Sequence, residues 1–324
     1  MLTINDNIVS HIEPLEFKHT PIMVNEVLHW LKPDHTGVFI DCTVGGGGHA
    51  HALLASAKGV YLVGLDQDTE ALKAASDRLA PFANRYILVH CNFSNLPQIL
   101  DELGITQADG FLFDLGVSSY QLDNSHRGFS YMQDAPLDMR MDLSAPVTAK
   151  DLVNELPEQE LKNIISRYGE ERWAARIAAF IVRERARNTI NTTGELTEII
   201  KQAIPSRARR EGPHPAKRTF QALRIMVNHE LDILSNSLHG ALEHLKPGKR
   251  MCVLTFHSLE DRIVKRTFNE LANPCTCPPQ LPICVCGKEP QIKILTRHPA
   301  VPKEAELQVN HRARSAKLRV VEKI

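Results

Sequence analysis

Short apolar strands alternating with helical segments predict an α/β fold, a doubly wound parallel sheet with a helical insertion. Two observations carry this reading. Val38–Asp41, Tyr61–Asp66, Tyr86–His90 and Gly110–Asp114 are apolar runs of strand length, each followed by a loop or a helical pattern; such alternation builds a parallel sheet covered by helices on both faces. The next run of this kind, Arg250–Phe256, arrives only after more than a hundred residues. No single crossover is that long, so something is inserted.

The elements follow in order. His19-Thr20-Pro21 leads into a helical segment, Met23 to Leu31. After the Asp114 strand, Leu152, Leu156, Ile164 and Ile165, then Trp173, Ile177, Phe180 and Ile181, recur at roughly helical spacing. Thr192 with Glu195 three residues on makes a capping box for a helix over Leu196–Ala203. A return helix from about Arg218 to Leu245 leads through Lys246-Pro247-Gly248 into the Arg250 strand. The division this implies is 1–129 for the first part of the sheet domain, 130–215 for the inserted helices, and 216–324 for the second part, with a cysteine-containing loop and a basic tail.

The first strand runs straight into Gly45-Gly46-Gly47-Gly48 and the helix that begins near His49. Glycines let a backbone approach a ligand closely, and a helix start offers free N–H groups. Asp66, closing the second strand, falls where an acid accepts ribose hydroxyls. Gly45-x-Gly47-x-x-Ala50 fits the dinucleotide fingerprint. Asp41, just before the glycines, weighs against it, because a carboxylate repels pyrophosphate and favours the ammonium and sulfonium of S-adenosylmethionine. The loop therefore leans toward a methyltransferase over a dehydrogenase.

Composition narrows the class. The chain has 324 residues, 43% hydrophobic and 23% charged, with formal net charge zero and seven cysteines. These are values of a soluble globular protein in a reducing compartment, and the absence of a long apolar run or signal-peptide pattern points to the cytoplasm. Overall charge announces no polyanionic partner, but local charge does. Arg207, Arg209, Arg210, Lys217 and Arg218, with only Glu211 opposing them, form one basic run, and Arg312, Arg314, Lys317 and Arg319 form a second. Two such runs beside a methyl-donor site favour a nucleic-acid substrate over plain solvated surface. Leu115 to Pro146 is a long irregular stretch that mixes aromatics, charges and apolar residues and begins at the carboxyl end of a central strand. It is the expected substrate face.

Several long motifs resemble one family. Asp114-Leu-Gly-Val-Ser-Ser-x-Gln-Leu-Asp123, Arg127-Gly-Phe-Ser-Tyr131, Pro136-Leu-Asp-Met-Arg-Met-Asp142, Arg218-Thr-Phe-Gln-Ala-Leu-Arg224-Ile, Thr255-Phe-His-Ser-Leu-Glu-Asp-Arg-Ile-Val-Lys265 and Asn310-His-Arg-Ala-Arg-Ser315 are similar to the ribosomal RNA small subunit methyltransferase H family, also called MraW. The resemblance runs from His19 to near the C-terminus. It implies a Rossmann-like class I methyltransferase sheet with an inserted helical domain. The implied reaction transfers a methyl group from S-adenosyl-L-methionine to N4 of a cytidine in the decoding region of 16S rRNA, within the small ribosomal subunit. Carried over to matching positions, Gly47, Gly48 and His49 wrap the methionine part, Asp66 holds the ribose, Phe93 stacks on adenine, and Asp114 and Gln121 flank the reactive end.

A cytosine N4 lone pair is delocalised into the ring, so the amine needs a hydrogen-bond acceptor and in-line alignment. The common Asp/Asn-Pro-Pro-Tyr/Phe signature is absent, and Asp114-Leu-Gly-Val stands in its place. Asp114 is the favoured acceptor, with Asp138 and the His257/Ser258 pair as rivals. Phe129 and Tyr131 are candidates to stack on an unstacked base. Ring-carbon methylation needs a cysteine at that strand end, and Pro274-Cys275 lies far past it. Cys275-Thr-Cys277 and Cys284-Val-Cys286 pair four thiols in Pro-rich sequence, open to zinc, to redox pairing or to a reduced loop; the family reading itself assigns no metal. At this level a nicotinamide oxidoreductase and a noncatalytic RNA-binding factor remain as alternative classes.

Overall fold

The computed structural model describes residues 21–33, 36–210, 212–278 and 285–324. His19, Thr20, Glu211 and Cys284 lie outside the described residues.

The strands are β1 (Gly37–Asp41), β2 (Val60–Asp66), β3 (Tyr86–His90), β4 (Ala108–Asp114), β5 (Leu245–Thr255), β6 (Ile292–Ile294) and β7 (Lys317–Lys323). They form one sheet in the order β3-β2-β1-β4-β5-β7-β6, parallel throughout β1 to β5 and antiparallel where β7 joins β5 and β6. Helices α1 (Val24–Leu31), α2 (Gly48–Ser56), α3 (Thr69–Leu79) and α4 (Leu96–Glu102) precede or connect the first four strands. Between β4 and β5 run α5 (Ser119–Asp123), α6 (Ala149–Glu155), α7 (Glu158–Gly169), α8 (Ala174–Arg185), α9 (Thr193–Ala203), α10 (Ser206–Arg210), α11 (Lys217–Asn228) and α12 (Leu234–Glu243). After β5 come α13 (Ser258–Ala272) and α14 (Glu304–Val309). No described helix is long and apolar enough to cross a membrane.

Strand periodicity divides the core. Ile40, Val63, Leu65, Phe111 and Phe113 point to one face, against Leu96, Leu238 and Phe268. Phe39, Leu62, Leu112 and Leu254 point to the other, against Val27, Leu53 and Leu79. Both faces are buried, which is why these strands read as nearly continuous apolar runs. A third core, including Met139, Leu152, Ile165, Ile177, Ile181 and Leu196, belongs to the helical layer alone. The Thr192–Glu195 capping box is present, opening α9 at Thr193, three residues earlier than the sequence pattern places it.

Three elements differ from expectation. The return helix is two helices, because His229 at φ 51° ends α11 in a left-handed turn. Phe220, Leu223 and Val227 of α11 pack into the helical core, so this helix stands on the insert's side of residue 215. The second basic run is partly a strand: Leu318, Val320 and Val321 are buried in β7, while Lys317 and Arg319 pair with Asp261 at 3.2 and 2.6 Å. Their charges mask a pleated apolar pattern, and they do not form a free cationic tail.

Candidate active site

A cavity of about 550 Å³ opens at the carboxyl ends of β1 to β4. The chain winds outward in one direction from β1 to β3 and then returns to β4 on the other side. Ligands of open α/β sheets sit at such a switch point.

One wall is the glycine loop. Gly45 (φ 51°) and Gly47 (φ 75°) take the left-handed conformation that side chains resist. Gly45 and Gly46 line the cavity, and a Cβ at Gly46 meets nothing within 4 Å, so ligand atoms can come up to the backbone. Gly48 and His49 line it as well; Gly47, expected to touch the ligand, instead packs on Ala75. Asp41 is also displaced from its expected part. It is buried behind the loop, outside the cavity lining, where burial above all pushes its carboxyl up to about 7.

Asp66 lines the cavity and accepts the Gly45 N–H at 2.8 Å on one oxygen and the Asp68 N–H at 2.9 Å on the other. Each oxygen keeps a second lone pair for a ligand hydroxyl. Burial raises this carboxyl to about 6. Phe93, partly buried on the same wall, sets its edge against Phe113 at 5.8 Å between centroids.

Asp114 closes β4. Its backbone N–H donates to Thr43 Oγ1 at 2.6 Å, tying the strand end to the glycine loop. Its Oδ2 lies 3.5 Å from Nε2 of buried His49 without hydrogen-bond geometry. Both His49 nitrogens and Asp114 Oδ1 are buried without a hydrogen-bond partner. Burial pulls the imidazole pKa down, but the Asp114 and Asp41 carboxylates outweigh it and the net shift is upward. Buried polar atoms left unsatisfied at a cavity are the mark of a site awaiting a ligand.

Gln121 lines the cavity, but its amide is already engaged: Nε2 donates to Asp68 at 2.8 Å and Oε1 accepts the Ser118 N–H at 3.0 Å. It fixes α5 under the cavity. Arg127 is the matching support, which the sequence reading quoted without a role. Its guanidinium is buried and donates to Asp68, Glu70 and the Arg140 and Met141 carbonyls at 2.7–3.0 Å, anchoring the long loop after β4.

The proposed rivals to Asp114 separate. Asp138 lies outside the cavity lining, gripped by Arg140 through bonds of 2.8 Å to each carboxylate oxygen. Burial raises its carboxyl, yet Arg140 outweighs burial and holds it below the usual range. Ser258 also faces elsewhere, donating to Glu170 at 2.6 Å. His257 does line the cavity, at the N-cap of α13, with Nε2 3.1 Å from buried Glu260. Glu260 accepts the Phe256 N–H at 2.7 Å; burial raises its carboxyl, but His257 and Arg224 outweigh this and hold it low.

Across the opening stand Arg224 and Glu230, paired through two bonds of 2.8 Å, and Asn228, which bonds Met139 and Met141 of the long loop. These three were missed as site residues. Arg224 sat inside a recognised motif, but only folding brings α11 opposite β4. Tyr131 lines the cavity, stacked on His214 at 4.6 Å, whereas Phe129 is buried in the helical core and cannot meet a substrate. Lys217, Arg312 and Arg314 ring the opening, while Arg207, Arg209 and Arg210 are exposed on α10.

Comparison with known proteins decides the assignment. The model of the MraW methylase family matches residues 16–324. The chain belongs to the MraW methylase family. Within this family's curated members, ribosomal RNA small subunit methyltransferase H of Symbiobacterium thermophilum is 57% identical over 96% of this chain and 98% of its own. The protein of the same name from Clostridioides difficile is 53% identical over 96% and 100%. A solved rRNA methylase from Streptococcus thermophilus overlaps 93% of each chain at a TM-score of 0.41 and 11% identity, too shallow to carry an argument. S-adenosylmethionine is the cofactor of a MraW methylase, and the cavity fits it: open backbone at Gly46, unsatisfied atoms on His49 and Asp114, the Asp66 lone pairs and the Phe93 ring.

Proposed function

We propose that this methylase acts on small-subunit ribosomal RNA and transfers a methyl group to N4 of a cytidine in the decoding region of 16S rRNA. The observation that carries the reading is the Asp114 carboxylate at the strand end, with one buried oxygen unpartnered, in a cavity that opens between sheet and helical layer under a cationic rim. The names of close relatives support the RNA substrate.

S-adenosylmethionine, when bound, supplies a methyl on a sulfonium, which needs no further activation. The protein's part is positioning and proton management. Gly45, Gly46, Gly48 and His49 would hold the cofactor's methionine part, Asp66 its ribose hydroxyls and Phe93 its adenine. Asp114 accepts a hydrogen bond from the N4 amino group, which aligns the nitrogen lone pair with the methyl. As the C–N bond forms, the donor's sulfur–methyl bond would break and its electron pair stay on sulfur as a neutral thioether; the amine is left with one proton too many, and that proton leaves by way of the Asp114 carboxylate. His49 stands behind it, with Nε2 3.5 Å from the carboxylate. Tyr131 offers a face for the unstacked base. His257, fixed by Glu260, stands as the alternative acceptor.

We also read residues 1–129 and 216–324 as the methyltransferase domain and 130–215 as the substrate-facing insert. The packing of Phe220, Leu223 and Val227 into the helical core supports counting α11 with the insert.

The test is methylation of small subunits from cells lacking this enzyme, using labelled S-adenosylmethionine and nucleoside analysis. Label in N4-methylcytidine is the expected result. Label in another nucleoside discards the acceptor atom and keeps the methylase; no label on RNA or subunits discards the RNA substrate.

A further inference from the structure

The loop from Asn273 to Gln291, between α13 and β6, contains no buried residue among those described. It leaves and rejoins the fold at one point, where the Gln291 N–H donates to the Leu271 carbonyl at 3.0 Å. The described residues of this excursion bury no apolar side chain that would offset its conformational entropy. Yet three thiols converge within it: the sulfurs of Cys275, Cys277 and Cys286 all lie within 4.8 Å of one another. Four sulfurs at about 2.3 Å from a zinc ion stand about 3.8 Å apart along each tetrahedral edge, so small movements close this set around an ion.

A second observation points the same way. The Val285 backbone N–H donates to Cys277 Sγ at 3.4 Å, and Gly287, just after the second Cys-x-Cys, turns at φ 65°. This bond ties the second Cys-x-Cys to the first and holds the thiols together. None of these cysteines lines the methyl-transfer cavity.

We propose that Cys275, Cys277 and Cys286 bind a structural zinc ion that closes this loop at the edge of the sheet. Each thiol gives up its proton to solvent on binding, and no electron transfer is involved. All-sulfur ligation selects zinc among the hard and borderline divalent ions of the cell.

The experiment uses the full chain, purified without chelator and with thiols kept reduced, and measures metal by mass spectrometry. One zinc per chain is expected, falling to background in Cys275→Ser/Cys277→Ser and in Cys286→Ser. Cys252→Ala, which removes a thiol buried in β5, keeps one zinc. Far-UV circular dichroism and calorimetric binding of S-adenosylmethionine stay at parent values in the thiol variants, separating the loop from the active site. Cobalt added to metal-free protein gives tetrahedral d–d bands with thiolate charge transfer. The proposal is overturned by protein that neither carries nor takes up stoichiometric zinc, by zinc that survives the double substitution, or by a disulfide between these cysteines in freshly lysed cells.

Discussion

Two clusters of buried charge flank the same cavity and differ in one respect. Around Asp68, Arg127 and Gln121 the acid is fully enclosed and held at 2.8 Å by both partners, and Arg127 Nε alone has no hydrogen-bond partner. Around Asp114 and His49 the closest approach is 3.5 Å, and three polar atoms have no hydrogen-bond partner. Buried polar groups are normally paired, since leaving one bare costs about 1–3 kcal/mol. The first cluster therefore holds the loop that shapes the site, and the second keeps its bonding capacity for what enters it. The same criterion sets aside Asp138, whose two oxygens are taken by Arg140.

The sharpest way to break this comparison is Asp114→Asn. Loss of the acceptor is expected to lower methylation by roughly 10²–10⁴-fold, the range of general acid–base effects. Thermal stability and S-adenosylmethionine binding stay near parent values. Asp138→Asn, measured alongside by label incorporation into small subunits, keeps activity within about threefold. Near-normal turnover in the Asp114 variant moves the acceptor to His257.

Arg127→Met probes the other cluster. Removing one partner of a buried pair leaves Asp68 with an uncompensated charge, a loss of about 3–5 kcal/mol. Urea unfolding monitors it, and a shift under about 1 kcal/mol means that Gln121 alone satisfies Asp68.

The contrast also explains what could be read in advance. The parallel strands were legible because burial on both faces leaves long apolar runs, and Asp66, Phe93 and Asp114 because they close strands or follow them directly. Gly47 lies against Ala75, outside the cavity lining: a fingerprint fixes where the chain bends, and packing decides which glycine faces the cavity. Phe129 and Asp138 carry motif-like neighbours, yet the helical core and Arg140 claim them. Arg224 and Asn228 of α11, Glu230 just after it and Glu260 of α13 join the cavity lining only in the folded chain, a convergence that no local pattern encodes. In β7 the charges of Lys317 and Arg319 hid a strand because Asp261 neutralises them from another element.

The exposed rim should respond more weakly than either cluster. Lys217→Ala/Arg314→Ala removes two cations at the opening, and each phosphate contact on single-stranded RNA contributes about 0.7 to the slope of log affinity against log salt. A rise in KM of roughly tenfold is expected with kcat unchanged, and a salt slope shallower by about 1.4. A fall in kcat with KM intact would place these cations at the reacting base and not on the RNA backbone.

The smallest effect concerns Asp41, buried behind the glycine loop with its carboxyl raised to about 7, chiefly by burial, with Asp114 and Asp66 adding and His49 opposing. In the unfolded chain this group ionises near its ordinary value of 3.8. Between those two values the folded state binds the extra proton, so this group makes stability fall as pH rises through the window, and it adds no slope below or above it. Asp41→Asn removes that slope while its amide oxygen still accepts the Thr43 N–H, a bond of 3.2 Å in the parent. The variant should therefore gain on the parent across this window, by on the order of 1 kcal/mol per pH unit at most. Melting temperatures of both proteins at intervals from pH 4.5 to about 7.5 read the difference directly. A gap that stays constant across the range would mean that Asp41 is ionised in the folded protein throughout.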